Sequence, residues 1–415
     1  MTSAPSGGRP HHPGDPVVRR RGLAGSPSAT FGLALVAFVV LGLPDGTLGV
    51  AWPSMRADLA RPVSALGVLL VAQTVGYLVA SAANGFLVER AGTGPVLVAA
   101  AGTSAVALIG YALASPWVVL VGASVVVGAA AGSVDAGVNA HVALHHGRRA
   151  MGLLHAAFGV GATAGPLLVT ALLGASRSWR AAYGLLVVAQ VVLLAAFLRT
   201  RRQWQDPPTR TGHPPGPAPD RHGRRVTAVL MLAAFFVYSG LEIATGQWAY
   251  SLLTEQRGVG ATVAGLWVAG YWGALTGGRL VLAFGANRVA PDRLLAWSTA
   301  GAVVSAVVLW LDPGGQGVVA LPLVGLCLAP IFPTLVSLTP VRLGATHAGH
   351  AIGFQLAAAG VGAAVLPGAI AVAIDLGGLV TVGPALTLLA VVLSAVNLAS
   401  SPVGRRRLGL AGWST

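Results

Sequence analysis

The sequence predicts an all-α integral membrane fold, with twelve transmembrane helices in two six-helix pseudo-repeats, and three observations lead there. Hydrophobic residues fill 55% of the 415 positions and charged residues 9%, more apolar surface than a soluble domain can hide. Twelve apolar runs of about 20 residues, the length that crosses the hydrocarbon of a bilayer, stand between polar breaks. Landmarks of the first half also recur in the second at a nearly constant offset, as expected of six-helix units repeated in parallel.

In chain order, residues 1–29 are rich in Pro, Gly, Ser and Arg and read as a disordered cytoplasmic tail. The apolar run that follows is too long for a signal h-region. The spans fall, give or take a turn, near 30–52, 64–88, 94–113, 116–140, 150–173 and 179–198, then 226–252, 261–284, 292–311, 318–339, 349–373 and 380–399. Between the sixth and seventh lies the longest polar interruption, residues 199–225, with Pro207, Pro208, Pro214, Pro215, Pro217 and Pro219. It reads as an extended cytoplasmic linker whose arginines lie against anionic headgroups. It separates a first bundle, 30–198, from a second, 226–399, and residues 400–415 form a second cytoplasmic tail.

Arginine placement tests this count, because cytoplasmic loops carry the basic excess. With the amino terminus inside, only Arg56, Arg61, Arg177, Arg180 and Arg257 fall outside; all other arginines fall on the inner side. The asymmetry supports an even number of spans and two cytoplasmic termini, and the location expected is the cell membrane.

The net charge of +14 does not indicate nucleic acid, since the 26 basic residues are all arginine and sit in short connectors. The single cysteine, Cys327, lies in an apolar run and allows neither an intramolecular disulfide nor a thiolate metal cluster. His141, His145 and His146 have i, i+4 spacing but no carboxylate nearby, which reads as a solvated basic turn rather than a metal site. No His, Asp and Glu cluster of an enzyme gathers at either surface. No cofactor is expected beyond a proton gradient as the source of the coupling ion. The partners expected are the lipid bilayer and a small-molecule solute, with no obligatory protein partner evident.

The halves echo one another at three places. Asp45-Gly-Thr-Leu-Gly49 is answered by Glu242-Ile-Ala-Thr-Gly246, and Gly128 by Gly325, both 197 residues on. Gly159-Val-Gly-Ala-Thr-Ala-Gly-Pro166 is answered by Gly360-Val-Gly-Ala-Ala-Val-Leu-Pro367, 201 residues on.

Three acids lie within spans: Asp45, Asp135 and Glu242. A carboxylate at mid-membrane costs on the order of 3 kcal/mol on insertion scales. Such a group either holds the bundle together by hydrogen bonds or takes up and releases a proton, and proton coupling is the role expected for all three. Asn139 follows Asp135 by one helical turn on the same face, so an acceptor and an amide aim at one cavity. Polar and aromatic groups that could line a solute pocket with Asn139 are Gln73, Tyr77, Tyr238, Gln247, Trp248, Tyr271 and Gln355, joined by His155, which could share a proton with Asp135. Trp52, Trp117, Trp179 and Trp310, at span ends, read as interfacial anchors. Arg279, near the inner end of the eighth span, reads as snorkelling to the surface.

Gly85-Phe-Leu-Val-Glu-Arg-Ala-Gly92 ends the second span. It resembles the loop 2-3 signature of the major facilitator superfamily, Gly-x-Leu-x-Asp-Arg-x-Gly-Arg-Arg: Gly85, Leu87, Arg90 and Gly92 match, Glu89 replaces the aspartate, and Thr93 and Gly94 replace basic residues. The resemblance implies a gating role for Gly85, Glu89, Arg90 and Gly92. Leu43-Pro-Asp-Gly46, Asp135-x-x-x-Asn139, Leu154-His-x-x-Phe-Gly159, Tyr238-x-Gly-x-Glu242, Gly270-Tyr-Trp-Gly273, Pro330-Ile-Phe-Pro333 and Ala351-Ile-Gly-Phe-Gln355 are similar to the fucose, galactose and glucose proton symporter branch and its bacterial and fungal relatives. In that branch a first-helix aspartate and a fourth-helix acid serve proton and sugar coupling, which implies those roles for Asp45 and Asp135. Gly161-x-x-x-Gly165-Pro166 resembles the front of an antiporter signature and is a second gating candidate, although a tight helix crossing accounts for the glycines equally. The expected activity is proton-coupled symport of a small polar solute such as a sugar. Proton-driven efflux of an amphipathic compound and a non-transporting membrane sensor are the alternatives.

Overall fold

The structure, a computed structural model, describes residues 27–113, 116–204, 221–285, 289–343 and 345–401. Most of the expected first tail, the middle of the linker and most of the last tail lie outside the described residues. Within them every regular element is helical: α1 (Pro27–Asp58), α2 (Ala65–Ala91), α3 (Thr93–Ala112), α4 (Trp117–His145), α5 (Gly147–Gly174) and α6 (Trp179–Thr200), then α7 (Arg221–Ser251), α8 (Ala261–Gly285), α9 (Pro291–Leu311), α10 (Ala320–Leu328), α11 (Ile331–Leu343), α12 (Ala345–Gly377) and α13 (Val382–Ser400).

Among the described residues eleven segments are long and apolar enough to cross a membrane, α10 and α11 counting as one. The remaining crossing, α8, has the length, about 37 Å at 1.5 Å per residue. Its six glycines, two tryptophans and Arg279 lower its apolarity. The tenth span bends into α10 and α11 at Ala329-Pro330, where proline has no N–H to continue the ladder. Lipid-facing side chains stay bare, as with Val118 at 79% and Leu376 at 86% exposure.

Several ends differ from expectation because helices outlast the hydrocarbon they cross. Helix α4 runs to His145 and α5 starts at Gly147, so the expected basic turn over 141–149 is mostly helix. The first part of the expected linker is ordered as well, with the Trp204 indole buried against His141 and Phe197 and donating to Thr200 Oγ1 at 3.0 Å. Trp52 and Trp179, expected as interfacial anchors, are buried instead. Their indole N–H groups find Val63 O and Asp58 Oδ2, both at 2.8 Å, inside the bundle end. Trp310 stays 43% exposed, as an anchor would.

Within the first six helices α1 packs on α5, α2 on α4, and α3 on α4 and α6; among the rest α7 packs on α12 and α13, α8 on α10, and α9 on α10 and α13. The two sets meet through α1 with α7, α2 with α12, and α5 with α8. Glycine permits these crossings. A Cβ on Gly161 of α5 would strike the Val39 carbonyl of α1, and one on Gly165 would lie 2.7 Å from the Leu43 carbonyl. Gly161, Gly165 and Pro166 therefore belong to a backbone-on-backbone crossing.

Candidate functional site

α4 brings Asp135 about 15 Å in from its last turn, ten residues at 1.5 Å each, and the helical period sets Asn139 beside it. The Asn139 amide donates to Asp135 Oδ1 at 2.8 Å, and the Tyr77 hydroxyl of α2 donates to Oδ2 at 2.6 Å. Asn139 Oδ1 is buried with no partner, an acceptor held ready for a donor. His155 of α5 is exposed, with its ring edge-on to Phe38 at 5.9 Å, and lies within electrostatic reach of Asp135 and Arg279.

Asp45 of α1 accepts from the Gln73 amide of α2 at 2.9 Å. Its backbone carbonyl accepts from the Gln247 amide of α7 at 2.8 Å, so the crossing of the two helix sets rests on the same residue. Asp45 and Asp135 share one property: among the described residues neither enters an ion pair, and both are held by neutral donors.

Glu242 differs. One guanidinium nitrogen of Arg279 donates to both of its carboxylate oxygens, at 3.0 and 2.9 Å, and to the Tyr238 hydroxyl at 2.9 Å. Arg279 thus does not snorkel: it turns inward from α8 to an acid on α7. Sequence spacing hides this, because the partner stands on another helix. The fixed charges of Glu242 and Arg279 offset each other where both are only 10% and 20% exposed.

The remaining candidates are set apart from Asp135. Tyr271 donates to the Glu242 carbonyl at 2.7 Å, Trp248 to the Pro367 carbonyl at 3.2 Å, and Gln355 accepts from Thr339 at 2.9 Å, all three buried between helices of the second set. Gly85, Glu89 and Arg90 are exposed at the end of α2, with the Arg90 guanidinium 4.1 Å from the Phe86 ring centre. Gly92 holds a positive φ of 84°, where α2 turns into α3 and a side chain would be strained.

Two further contacts join residues outside the sequence candidates. At the end of the bundle farthest from the termini, Arg56 of α1 pairs with Glu255 in the wide turn that closes α7. Between helices of the first set, Gln190 of α6 donates to Ser104 of α3 at 2.7 Å. A lone amide in the run Leu185–Phe197 was the available signal for the second.

The Major Facilitator Superfamily model matches residues 34–367. The chain belongs to that superfamily. It is therefore a multi-pass membrane transporter rather than an enzyme. A mouse protein, the sodium-dependent glucose transporter 1A, is 24% identical over 313 residues, 66% of this chain and 73% of the mouse protein. The fold is shared with the E. coli fucose:proton symporter FucP, at a TM-score of 0.58 and 16% identity over 90% of this chain and 98% of FucP. It is also shared with the proton:xylose symporter XylE, at a TM-score of 0.67 and 13% identity over 90% and 94% of the two chains.

Proposed function

We propose that this transporter carries a small polar solute of the sugar class together with a proton, by alternating access in the cell membrane with both termini in the cytoplasm. The observation that carries the reading is the setting of Asp135. Its carboxylate lies about 15 Å in from the end of α4, in no ion pair among the described residues, held by an amide and a phenol beside an unused acceptor on Asn139. A solute hydroxyl that engages Asn139 or Tyr77 competes with the hydrogen bonds those groups give the carboxylate, and this shared set of donors is how solute passage and proton occupancy become linked. Asn139, Tyr77 and His155 form the polar face for hydroxyls, and Asp45 is the second proton carrier. Glu242, paired with Arg279, positions α7 against α8. The fucose:proton and proton:xylose symporters that share the fold support the same class of solute and coupling ion.

Membrane potential then acts in the direction of uptake, since one positive charge moving inward across 100 mV is worth about 2.3 kcal/mol. The glycines that resemble an antiporter signature are accounted for by the α1–α5 crossing and add nothing toward efflux. The test is a panel of fucose, xylose, glucose and galactose in proteoliposomes holding an internal pH dye. Addition of the transported sugar acidifies the lumen, and Asp135→Asn abolishes the acidification while sugar still binds. Sugar-driven acidification that persists in both Asp135→Asn and Asp45→Asn overturns the reading.

A further inference from the structure

Inside the first six helices a small cavity, without Asp135 in its lining, is walled by α1, α2, α3, α4 and α6. Its polar lining is Asp45, Gln73, Ser104 and Gln190; the remainder is aliphatic, from Leu41, Val127 and Val134 among others. Gln190 is 8% and Ser104 3% exposed, and Gln190 Oε1 is buried with no hydrogen-bond partner. The cavity has about 20 Å³ of space, room for a water or a bare alkali cation and none for a sugar.

We infer that this cavity is a Na⁺ site, in which the Asp45 carboxylate and the oxygens of Gln190, Ser104 and Gln73 hold a cation in place of the second proton assigned above to Asp45, Asp135 keeping its own. It rests on the reading above that Asp45 is the second proton carrier, a carboxylate whose negative charge is neutralised in the cycle. A proton can do that with the carboxylate alone, and gives the buried Gln190 oxygen nothing. A monovalent cation uses both: one full negative charge balances its own, and neutral oxygens complete the shell that hard cations require. A divalent ion would leave an uncompensated charge in an aliphatic wall.

The titratable groups facing Asp45 are few. Glu242 on α7 and Tyr77 on α2 lie within electrostatic reach, the first held by Arg279 of α8 and the second donating to Asp135 of α4; His155 of α5 stands beyond them. The cavity's linings from α3 and α6 contain no titratable side chain.

The experiment is equilibrium binding of radiolabelled Na⁺ to the purified full-length protein at alkaline pH, with choline chloride holding ionic strength, beside thermal unfolding in NaCl against choline chloride. One saturable Na⁺ per chain is expected, with a matching rise in Tm. Asp45→Asn abolishes both, and Gln190→Leu raises the half-saturating Na⁺ concentration about tenfold or more, the equivalent of one lost charge–dipole contact. Should Gln190→Leu fail to fold, Ser104→Ala weakens and Gln190→Glu tightens binding. Binding that does not saturate, or that ignores every one of these substitutions, means the cavity holds water only and overturns the inference. A protein that moves protons with sugar yet binds no Na⁺ removes this inference alone. One that binds Na⁺ and moves no protons removes the proton reading alone.

Discussion

Arg279 and Glu242 show how a single side chain changes the meaning of its neighbour. Alone, either would be a charge inside a membrane; together they offset each other, whereas Asp45 and Asp135, among the described residues, are held by neutral donors only. Breaking such a pair leaves a buried charge without a partner. Arg279→Met is expected to destabilise the protein by about 3–5 kcal/mol, and adding Glu242→Gln to recover most of that loss. Thermal and denaturant unfolding in detergent measures both, and a double variant no more stable than Arg279→Met would sink the pairing as the reason. The Asp135–Asn139 pair was legible in the sequence because it depends only on the helical period. The Arg279–Glu242 and Gln190–Ser104 contacts were not, since each joins two helices whose relative rotation no local spacing encodes. Trp52 and Trp179 mislead for a similar reason: the helix ends extend beyond the bilayer and close over them.

At the level of the helix, the repeat noted in the sequence becomes a repeat of crossings. A Cβ on Gly128 of α4 would strike the Gln73 carbonyl of α2, and one on Gly325 of α10 the Tyr271 carbonyl of α8. Gly161 of α5 meets Val39 of α1, and Gly362 of α12 meets Phe236 of α7. Each partner recurs at the same offset as the glycines within a few residues, so the two helix sets share their packing code. The acids have diverged within that frame, Gln73 bonding the Asp45 side chain where Tyr271 bonds the Glu242 backbone. Gly161→Ala and Gly362→Ala should therefore cost alike, roughly 1–3 kcal/mol each, because each new methyl meets a carbonyl that cannot step aside. Unfolding midpoints of the two variants check this, and one tolerated beside one not would break the equivalence. The spans and their count were legible because apolar length is a property of the chain. The bend at Ala329-Pro330 and the glycine-rich α8 were harder, one crossing being split into two helices and the other diluted in apolarity.

For the whole molecule, the state of the transporter is set by where the two helix sets touch, and no apolar pattern distinguishes one state from another. At the end farthest from the termini Arg56 pairs with Glu255, while Gly49 lies 2.8 Å, measured to an added Cβ, from the Gln247 carbonyl and Gly67 lies equally close to Ala371. Nearer mid-membrane the approaches are Gly159 to Thr276 and Gly360 to Leu78. In the orientation proposed above, with the termini in the cytoplasm, this end is the outer one and the two sets are closed there, while His155 is exposed. Arg56 and Glu255 are 28% and 21% exposed, so their pairing is worth on the order of 1 kcal/mol, about a fivefold population ratio. Arg56→Glu sets two acids against each other and should raise the outward-open share by about that factor, Glu255→Arg should do the same with two bases, and the exchanged pair should return it to the starting value. Spin labels on Ala57→Cys and Thr262→Cys, on the exposed ends of α1 and α8, report the separation directly. The longer distance must grow in each single reversal and shrink in the exchange; a distribution unmoved by either reversal means that the outer closure rests on the apolar crossings alone and not on this ion pair.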